Sequence, residues 1–291
     1  MKPEKIAILA NAASRTLNKS ELEATVAHIN KFLPCEIVYT QSIEQARAFA
    51  ADLSGQPEYL VAACGGDGTI HTVQNSMVTD AAMGIIPAGT ANVIARELGI
   101  PLKMIDAGKL LLTGAVQETD LGTCNGHKFI FVAGIGFDAQ VAGSVSPLLK
   151  KVAGRYAYHI NGLLQFLTYR APQLRIKIEG QSREETGRFA IIANMRRYGG
   201  ELFFAPSARY DDGMLNMVLV KNFDTKTMLR LLNFARGNGP FPTSGVSAIS
   251  APGFEIKSSF PVPFELDGEV YAPATDFSIS IAHDRARLIT P

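Results

Sequence analysis

The stretch AACGGDGTIHTVQNSM, residues Ala62–Met77, decides the fold of the first part of the chain. It joins an apolar run to three glycines and one aspartate, and then to residues spaced as in a helix. A glycine-rich turn between a strand and a helix gathers free backbone N–H groups and the positive end of the helix dipole at one point. The pattern therefore predicts a phosphate site, followed by a helix that begins at about Thr69.

The first 120 residues alternate between short apolar runs and helical periodicity. The runs KIAILA, EIVYT and EYLVAAC are typical of buried strands. Apolar residues three or four apart predict a helix over Lys19–Leu33, where Ser20 and Glu23 have the spacing of a capping box. A second helix is predicted at SIEQARAFAADL, and MGIIPAGTANVIARELGI gives strand, turn and helix again. This alternation predicts a parallel, doubly wound sheet.

The rhythm changes near Asp120. Seven strand-like segments lie between His127 and His283, many of them bounded by Gly, Pro or Asp, which predicts an antiparallel β domain. Two helical segments interrupt it, at Arg155–Arg170 and Asp224–Gly237.

Composition narrows the functional classes. The chain has 291 residues, 47% of them hydrophobic, enough for two domains or one large one. A net charge of +1 without a long basic run gives no indication of nucleic-acid binding. The cysteines Cys35, Cys64 and Cys124 lack paired spacing, so we expect reduced and mostly buried thiols. No apolar run suits a signal peptide or a transmembrane helix, so a cytoplasmic protein is expected.

The anion expected at the glycine turn is a nucleotide that carries a divalent cation. Neither GxGxxG nor GxxxxGK[ST] occurs here. Asp67 would repel phosphate unless a cation such as Mg²⁺ stands between them. The alternative is a tight turn in which Asp67 caps the helix. A second glycine turn, IPAGTAN at Ile85–Asn92, favours the nucleotide site, because two such loops at strand ends flank one crevice.

Four motifs together resemble a known family. GGDGTI, PAGTAN, ARYDDGMLNMVLV and LDGE occur in this order, and the set resembles the catalytic domains of diacylglycerol, sphingosine and ceramide kinases and of soluble bacterial lipid kinases. NAD kinases and phosphofructokinases have similar GGDG loops, so the resemblance depends on all four motifs together and not on GGDG alone. It implies an α/β nucleotide-binding domain over residues 1–120 and an antiparallel β-sandwich over 121–291. The last residues are free to return to the first domain, and the active site is expected between the two.

The resemblance also implies an ATP site. Thr90 would assist from the second loop, and Thr40 matches a position that contacts nucleotide, although a plain strand-end hydroxyl is the alternative. Relatives commonly read NPxSG where this chain has NAASR; Arg15 could meet a phosphate or be merely exposed. The expected nucleotide-binding residues are Asn11, Arg15, Thr40, Gly65, Gly66, Asp67, Gly68, Thr69, Gly89, Thr90 and Asn92.

The candidate catalytic residues implied by the resemblance are Glu269, Asp267 and Asp67. Glu269 matches the proton acceptor, which a lipid hydroxyl needs because it is a poor nucleophile until it loses its proton. Phosphoryl transfer otherwise needs alignment and charge neutralisation. Asp267 is expected to hold Mg²⁺ or water. The alternative for ELDGEVY is a β-hairpin with a DG turn, which is compatible with catalysis.

The resemblance further implies metal ligands. Asp212 would bind Mg²⁺ away from the reaction centre, with the backbone carbonyls of Arg209 and Met214, unless YDDG is a solvated turn. Asp120 would join Asp67 in a water–metal network.

Some features leave the function open. Many relatives have Asp after GTAN, where this chain has Val93. Asp138, in GIGFDA, could face substrate or follow a plain turn. Ser146–Arg170 combines apolar and basic residues, as in an interfacial segment or a core helix with a basic face.

We therefore expect an ATP- and Mg²⁺-dependent lipid kinase, cytoplasmic or peripheral at the membrane. The alternatives are a soluble-substrate kinase such as an NAD kinase, or a nucleotide-binding protein with little catalysis. The lipid, the need for an activator and the oligomeric state, with a homodimer as one candidate, stay open.

Overall fold

The structure is a computed structural model. The chain divides into two compact units, the first comprising Met1–Thr119 with His283–Pro291 and the second Asp120–Ala282. Most of the predicted helix at Arg155–Arg170 and most of the candidate interfacial segment fall outside the described residues, which are 3–78, 80–144, 165–166, 168–199 and 202–291.

The first unit is built on a six-stranded sheet with strand order β2-β1-β3-β4-β18-β5. Neighbouring strands are parallel except β5, which runs antiparallel to β18. The central strands are buried on both faces, which explains their continuous apolar runs. The strands are β1 Lys5–Asn11, β2 Cys35–Thr40, β3 Tyr59–Gly65, β4 Ala82–Pro87, β5 Ala115–Thr119 and β18 Ala286–Thr290.

Helices connect these strands and complete the predicted doubly wound α/β fold, which is confirmed. The helix after the GGDG turn begins at Asp67, two residues earlier than predicted. The first helix ends at Ile29 rather than Leu33. The helices are α1 Lys19–Ile29, α2 Ile43–Ser54, α3 Asp67–Gln74, α4 Val93–Glu97 and α5 Met104–Thr113.

The predicted capping box at Ser20 is wrong. The N-cap of α1 is Asn18, whose Oδ1 accepts the N–H of Glu21 at 3.2 Å. Ser20 lies inside the first turn and its hydroxyl donates to the same Asn18 oxygen at 2.9 Å. The side chain of Asn18 reaches the residue three positions later in the chain, and it accepts an N–H that the helix itself leaves unpaired.

The second unit contains a ten-stranded sheet with order β15-β14-β11-β8-β16-β17-β6-β7, from which β9 and β10 branch at β16. Its larger strands pair antiparallel, and their inward residues form one apolar core. This confirms the expected antiparallel β-sandwich. The strands are β6 Gly122–Cys124, β7 His127–Phe129, β8 Val132–Ile135, β9 Leu174–Ile178, β10 Glu184–Gly187, β11 Phe189–Ala193, β12 Arg197–Tyr198, β13 Leu202–Phe203, β14 Leu215–Val220, β15 Val246–Ala251, β16 Gly253–Leu266 and β17 Glu269–Ile281.

Strand β16 differs from the sequence prediction. PGFEIKSS and VPFELDGEVY look like separate strands, but residues 253–266 form one strand. Its pairing with β17 shifts register between Lys257 and Phe264, the stretch that contains Pro261 and Pro263, because proline cannot donate to a ladder. The first half of β16 pairs with β9 and the second half with β8. One strand therefore joins two parts of the sheet.

Two helices are described in the second unit, α6 Phe137–Ser144 and α7 Thr225–Ala235. Helix α7 matches the prediction, with Asp224 as its N-cap. Helix α6 begins inside GIGFDA, where the sequence suggested a strand end. Across the described residues, no helix has the length and hydropathy needed to span a bilayer.

The cysteines are free thiols. Cys64 and Cys124 are buried and Cys35 is half-buried, so the expectation of mostly buried thiols holds for two of them. Burial raises the pKa of each thiol to about 12, which keeps it protonated at neutral pH.

The cap assignment gives a test. Replacing Asn18 with Ala removes the acceptor for the Glu21 N–H, and we expect the free energy of unfolding of the first unit to fall by about 1 kcal/mol. Ser20→Ala is the matched control and should change it by less than about 0.5 kcal/mol. Urea denaturation, with hydrogen exchange at the Glu21 amide, measures both. If both variants lowered the free energy of unfolding equally, the assignment of Asn18 rather than Ser20 as the cap would be contradicted.

Candidate active site

The loops that follow β1, β3 and β4 lie at one edge of the first unit's sheet. The registers Asn11↔Thr40 and Gly65↔Pro87 align the carboxyl ends of neighbouring strands there. The chain passes from β1 to β2 on one side and from β3 to β4 on the other, so the strand order reverses between β1 and β3. Open α/β sheets bind ligands at such a switch point. The residues predicted to bind nucleotide are therefore brought to one edge.

The two glycine loops are in contact at Gly66 and Gly89. A Cβ on Gly89 would lie 2.4 Å from the Cα of Gly66, closer than real Cβ atoms approach. A Cβ on Gly65 would lie 2.3 Å from the Oγ1 of Thr69, in the first turn of α3. Packing thus requires glycine at positions 65 and 89. At position 89, any side chain would force the two loops apart.

Asp67 ties the first glycine loop to the second. Its Oδ1 accepts the N–H of Ile94, in the first turn of α4, at 3.1 Å. The alternative in which Asp67 caps its own helix is therefore wrong, because this oxygen accepts an amide of α4 instead. Helix α3 starts after Gly66 without a side-chain cap. Its first-turn amides can therefore face an anionic ligand.

The second loop is shaped by Asn92. This residue has a left-handed backbone, with φ +48°, and its side chain bonds both backbone groups of Gly89 at 2.9 Å. Its amide is therefore used inside the loop. Thr90 is exposed at the loop tip, whereas Val93 is buried at the start of α4.

The loop after β1 contributes a residue that sequence reasoning missed. The hydroxyl of Thr16 donates to the carbonyl of Ala88 at 2.5 Å, which joins this loop to the second glycine loop. Asn11 accepts the N–H of Ala13 at 2.9 Å, and Arg15 is exposed. The buried Thr40 hydroxyl donates to Ala10 O at 3.4 Å, as a strand-end residue does. No pattern in the sequence distinguishes Thr16 from its neighbours.

In the second unit, LDGE forms the turn between β16 and β17. Asp267 and Gly268 both have positive φ, 53° and 89°, as a two-residue type I′ hairpin requires. The predicted DG hairpin is confirmed. Glu269 is the first residue of β17, pairs with Leu266 and is exposed.

Asp267, which is expected to hold Mg²⁺ or water, accepts three backbone N–H groups. Its Oδ2 accepts the N–H of Ile130 at 2.7 Å, and its Oδ1 accepts those of Phe131 and Val132 at 2.9 and 3.1 Å. The residue is 3% exposed. A carboxylate that accepts three backbone amides is held by the fold, so Asp267 anchors the turn to the segment before β8.

The YDDG loop brings Asp120 close to the predicted metal residues Arg209, Asp212 and Met214. The buried Asp120 accepts the N–H of Gly213 at 2.7 Å, and the exposed Asp212 accepts that of Met214 at 3.1 Å. Asp67 belongs to the other unit. Searching the described ranges finds no group of three or more His, Cys, Asp or Glu side chains arranged for a metal.

A buried carboxyl pair in the second unit was only half anticipated. The sequence indicates Asp138 as a candidate, but no pattern indicates its partner Glu265 or Tyr198, whose hydroxyl donates to Asp138. Burial raises the pKa of both carboxyl groups, and Asp138 raises that of Glu265 further, well above its ordinary value.

Comparison with known proteins agrees with this architecture. Residues 5–124 match the diacylglycerol kinase catalytic domain, and residues 132–282 match the YegS C-terminal NAD kinase beta sandwich-like domain. A Chromohalobacter salexigens protein named "Probable lipid kinase YegS-like" is 31% identical over 72% of this chain and 69% of its own. A Bacillus subtilis diacylglycerol kinase is 28% identical over 72% of this chain and 71% of its own.

Solved structures share the fold. A diacylglycerol kinase structure from Bacillus anthracis has a TM-score of 0.79 at 19% identity, covering 100% of this chain and 98% of its own. An NAD kinase from Archaeoglobus fulgidus in complex with ATP has a TM-score of 0.54 at 11% identity, covering 98% of this chain and 93% of its own.

The two-unit fold and the glycine loops define a kinase of the NAD-kinase and diacylglycerol-kinase fold group. The chain belongs to the diacylglycerol kinase catalytic-domain family, with a YegS-type C-terminal domain. Membership places it among the lipid kinases, phosphotransferases with an alcohol group as acceptor.

The role of Asp267 gives a second test. Asp267→Ala leaves three buried amides without their acceptor, and we expect the free energy of unfolding to fall by about 3 kcal/mol or more. Asp267→Asn keeps one acceptor oxygen and should lose less. Asp276→Ala, at an exposed site on β17, is the control. Chemical denaturation of the second unit measures the three variants, and an unchanged Asp267→Ala protein would contradict the anchoring role.

Proposed function

We propose that the protein transfers the γ-phosphate of ATP to a lipid hydroxyl in a Mg²⁺-dependent reaction. The observation that carries the proposal is the uncapped N-terminus of α3, set between two glycine loops in contact at the switch point of the sheet. Lipid kinase names among the relatives support the acceptor class.

The first unit would bind the phosphates of ATP. Helix α3 begins after Gly66 without a side-chain cap, and backbone amides at its start would donate to phosphate oxygens. Asn92 and Thr16 act indirectly, because their side chains fix the second glycine loop. Thr90 and Arg15, both exposed, have side chains free to reach the nucleotide.

The second unit would supply the base. Glu269 is exposed at the end of a rigid two-residue turn, so its carboxylate can approach a substrate hydroxyl. The hydroxyl proton moves to Glu269 as the oxygen forms its bond to the γ-phosphorus. The bond between that phosphorus and the bridging oxygen breaks, and ADP leaves. Asp267 keeps the turn in place for this step.

Magnesium suits the oxygen donors that are present. Asp67 lies beside the proposed phosphate site, and the YDDG loop offers the Asp212 carboxylate together with the carbonyls of Arg209 and Met214. An ion bound at Asp67 would neutralise charge on the phosphates, whereas an ion in the YDDG loop would lie away from the reaction centre. A contribution of Asp120 to metal binding, whether with Asp67 or in the YDDG loop, remains part of this proposal.

The acceptor would be a lipid such as diacylglycerol, phosphatidylglycerol or a sphingoid-like alcohol, reached at a membrane surface. A cytoplasmic location with peripheral attachment fits this substrate. A homodimer stays a prediction.

Two other functions make different predictions. An NAD kinase activity is suggested by the GGDG loop, because NAD kinases have similar loops, while the likeness to the Archaeoglobus fulgidus enzyme concerns the fold alone. A nucleotide-binding role with little catalysis is suggested by Val93, where many relatives have aspartate.

A transfer assay tests the proposal. Purified protein with radiolabelled ATP and Mg²⁺ should label a component of a total lipid extract, identified by mass spectrometry, and should leave NAD unlabelled. Chelation of Mg²⁺ should abolish the transfer. Glu269→Gln should keep ATP affinity and lower kcat by about 100-fold or more, the usual contribution of a general base.

Each contrary result removes one part of the proposal. Label on NAD alone would replace the lipid acceptor, and ATP binding without transfer would leave a binding protein. Full activity of Glu269→Gln would remove Glu269 as the base.

The glycine contact gives a separate prediction for nucleotide binding. Gly89→Ala puts a Cβ into Gly66, which must separate the loops and weaken ATP binding by at least about tenfold, or 1.4 kcal/mol. Gly55→Ala is the matched control, because its Cβ would have only ordinary contacts, the nearest at 3.4 Å. Titration calorimetry measures both. Wild-type affinity in folded Gly89→Ala protein would place the nucleotide elsewhere.

A further inference from the structure

The side chains of Asp138 and Glu265 converge over Gly134. Strands β8 and β16 are antiparallel, and Gly134 lies directly opposite Glu265 in their register. A Cβ on Gly134 would lie 2.2 Å from Asp138 Oδ2 and 2.8 Å from Glu265 Oε1. The absence of a side chain at position 134 therefore makes the space in which the two carboxyl groups meet.

Two oxygens of this pair have no partner if both groups are ionised. Asp138 Oδ2 and Glu265 Oε1 are buried and without a hydrogen bond in the described part of the chain. Two unprotonated carboxylates in contact would repel each other strongly in a buried site. A single proton on Glu265 Oε1 removes the conflict, because that oxygen then donates to Asp138 Oδ2, which lies within reach.

The remaining oxygens already have donors. Asp138 Oδ1 accepts the hydroxyl of Tyr198, and Glu265 Oε2 accepts the N–H of Gly268 at 2.6 Å. Asp138 also lies in the first turn of α6, where the helix dipole favours a negative charge. One proton on Glu265 and one negative charge on Asp138 thus satisfy all four oxygens.

This pair is linked directly to the turn that carries Glu269. Gly268, the residue bonded by Glu265, stands between Asp267 and Glu269. We propose that Asp138 and Glu265 share one proton and, as a hydrogen-bonded pair, position the Asp267–Gly268 turn and thereby the base Glu269. This inference rests on the proposed function, because it gives positioning residues for the base named there.

The substitution Glu265→Gln removes the carboxyl group but can keep both of its hydrogen bonds, so it tests which of the two matters. Glutamine can donate to Asp138 through its amide nitrogen and accept from Gly268 through its oxygen, so kcat should stay close to that of the wild type. Glu265→Ala loses both bonds, and the misplaced turn should lower kcat by about 100-fold while KM for ATP is unchanged. Glu255→Ala, at an exposed position on the same strand, should be neutral.

An infrared measurement detects the shared proton independently of activity. Ordinary carboxyl groups are ionised at neutral pH. The wild-type protein should therefore show the C=O absorption of a protonated carboxyl group that is missing from Glu265→Gln. If Glu265→Ala fails to fold, Tyr198→Phe takes its place, because it removes one donor to Asp138 and should lower kcat by a smaller factor.

The outcomes distinguish this inference from the proposed function. Absence of the infrared absorption from the wild-type protein, or wild-type kcat in folded Glu265→Ala while Glu269→Gln is inactive, would overturn the pair. A fully active Glu269→Gln enzyme would instead overturn the proposed base, and the infrared result would still report whether the proton is shared.

Discussion

The contact between Gly66 and Gly89 is the constraint on which the first unit's site depends. The two loops follow adjacent parallel strands, and register alone would leave side chains between them. Removing those side chains lets the backbones touch. Asp67 can then reach α4, and Thr16 can reach Ala88. These bonds would be lost if the loops moved apart. Gly66 and Gly89 are therefore required for the packing of the two loops, whether or not they contact a ligand.

In the second unit, the main structural requirement is to hold the short acidic turn between β16 and β17 in one place. Asp267 and Glu269 are two residues apart, yet one is buried on backbone amides and the other is exposed. The left-handed conformation at Asp267 and Gly268 points the two side chains to different environments. Asp267 thus has a structural role, whereas Glu269, two residues later, is exposed. Reading LDGE only as a catalytic motif misses this structural role.

Local patterns predicted most elements of the fold, because the periodicities of strands and helices are recorded in neighbouring residues. The alternating α/β unit, the antiparallel second unit and the DG hairpin follow from such patterns. The errors have physical causes. Asn18 is the cap because it precedes the helix and its side chain accepts the Glu21 N–H, whereas Ser20 already lies inside the first turn. Residues 253–266 form one strand because β9 and β8 continue the ladder on either side of the prolines.

The candidate site was predicted where it depends on glycine loops, and missed where it depends on distant partners. Asp67 bonds a residue 27 positions away, and Asp267 bonds one 137 positions away. The pairing of Glu265 with Asp138 exists only because β8 and β16 place Gly134 opposite Glu265. No local pattern carries such information, since register between strands far apart in sequence fixes it.

The last strand of the first sheet, β18, lies between β4 and β5 and comes from residues 286–290. A ribosome must therefore synthesise the entire second unit before the first sheet can close. Until then β4 and β5 have no intervening partner and expose unpaired edges. The first sheet therefore stays incomplete during synthesis, because its strand β18 is made after all of Asp120–Ala282. The first 119 residues alone lack β18, so completion of the first sheet depends on synthesis of the whole second unit.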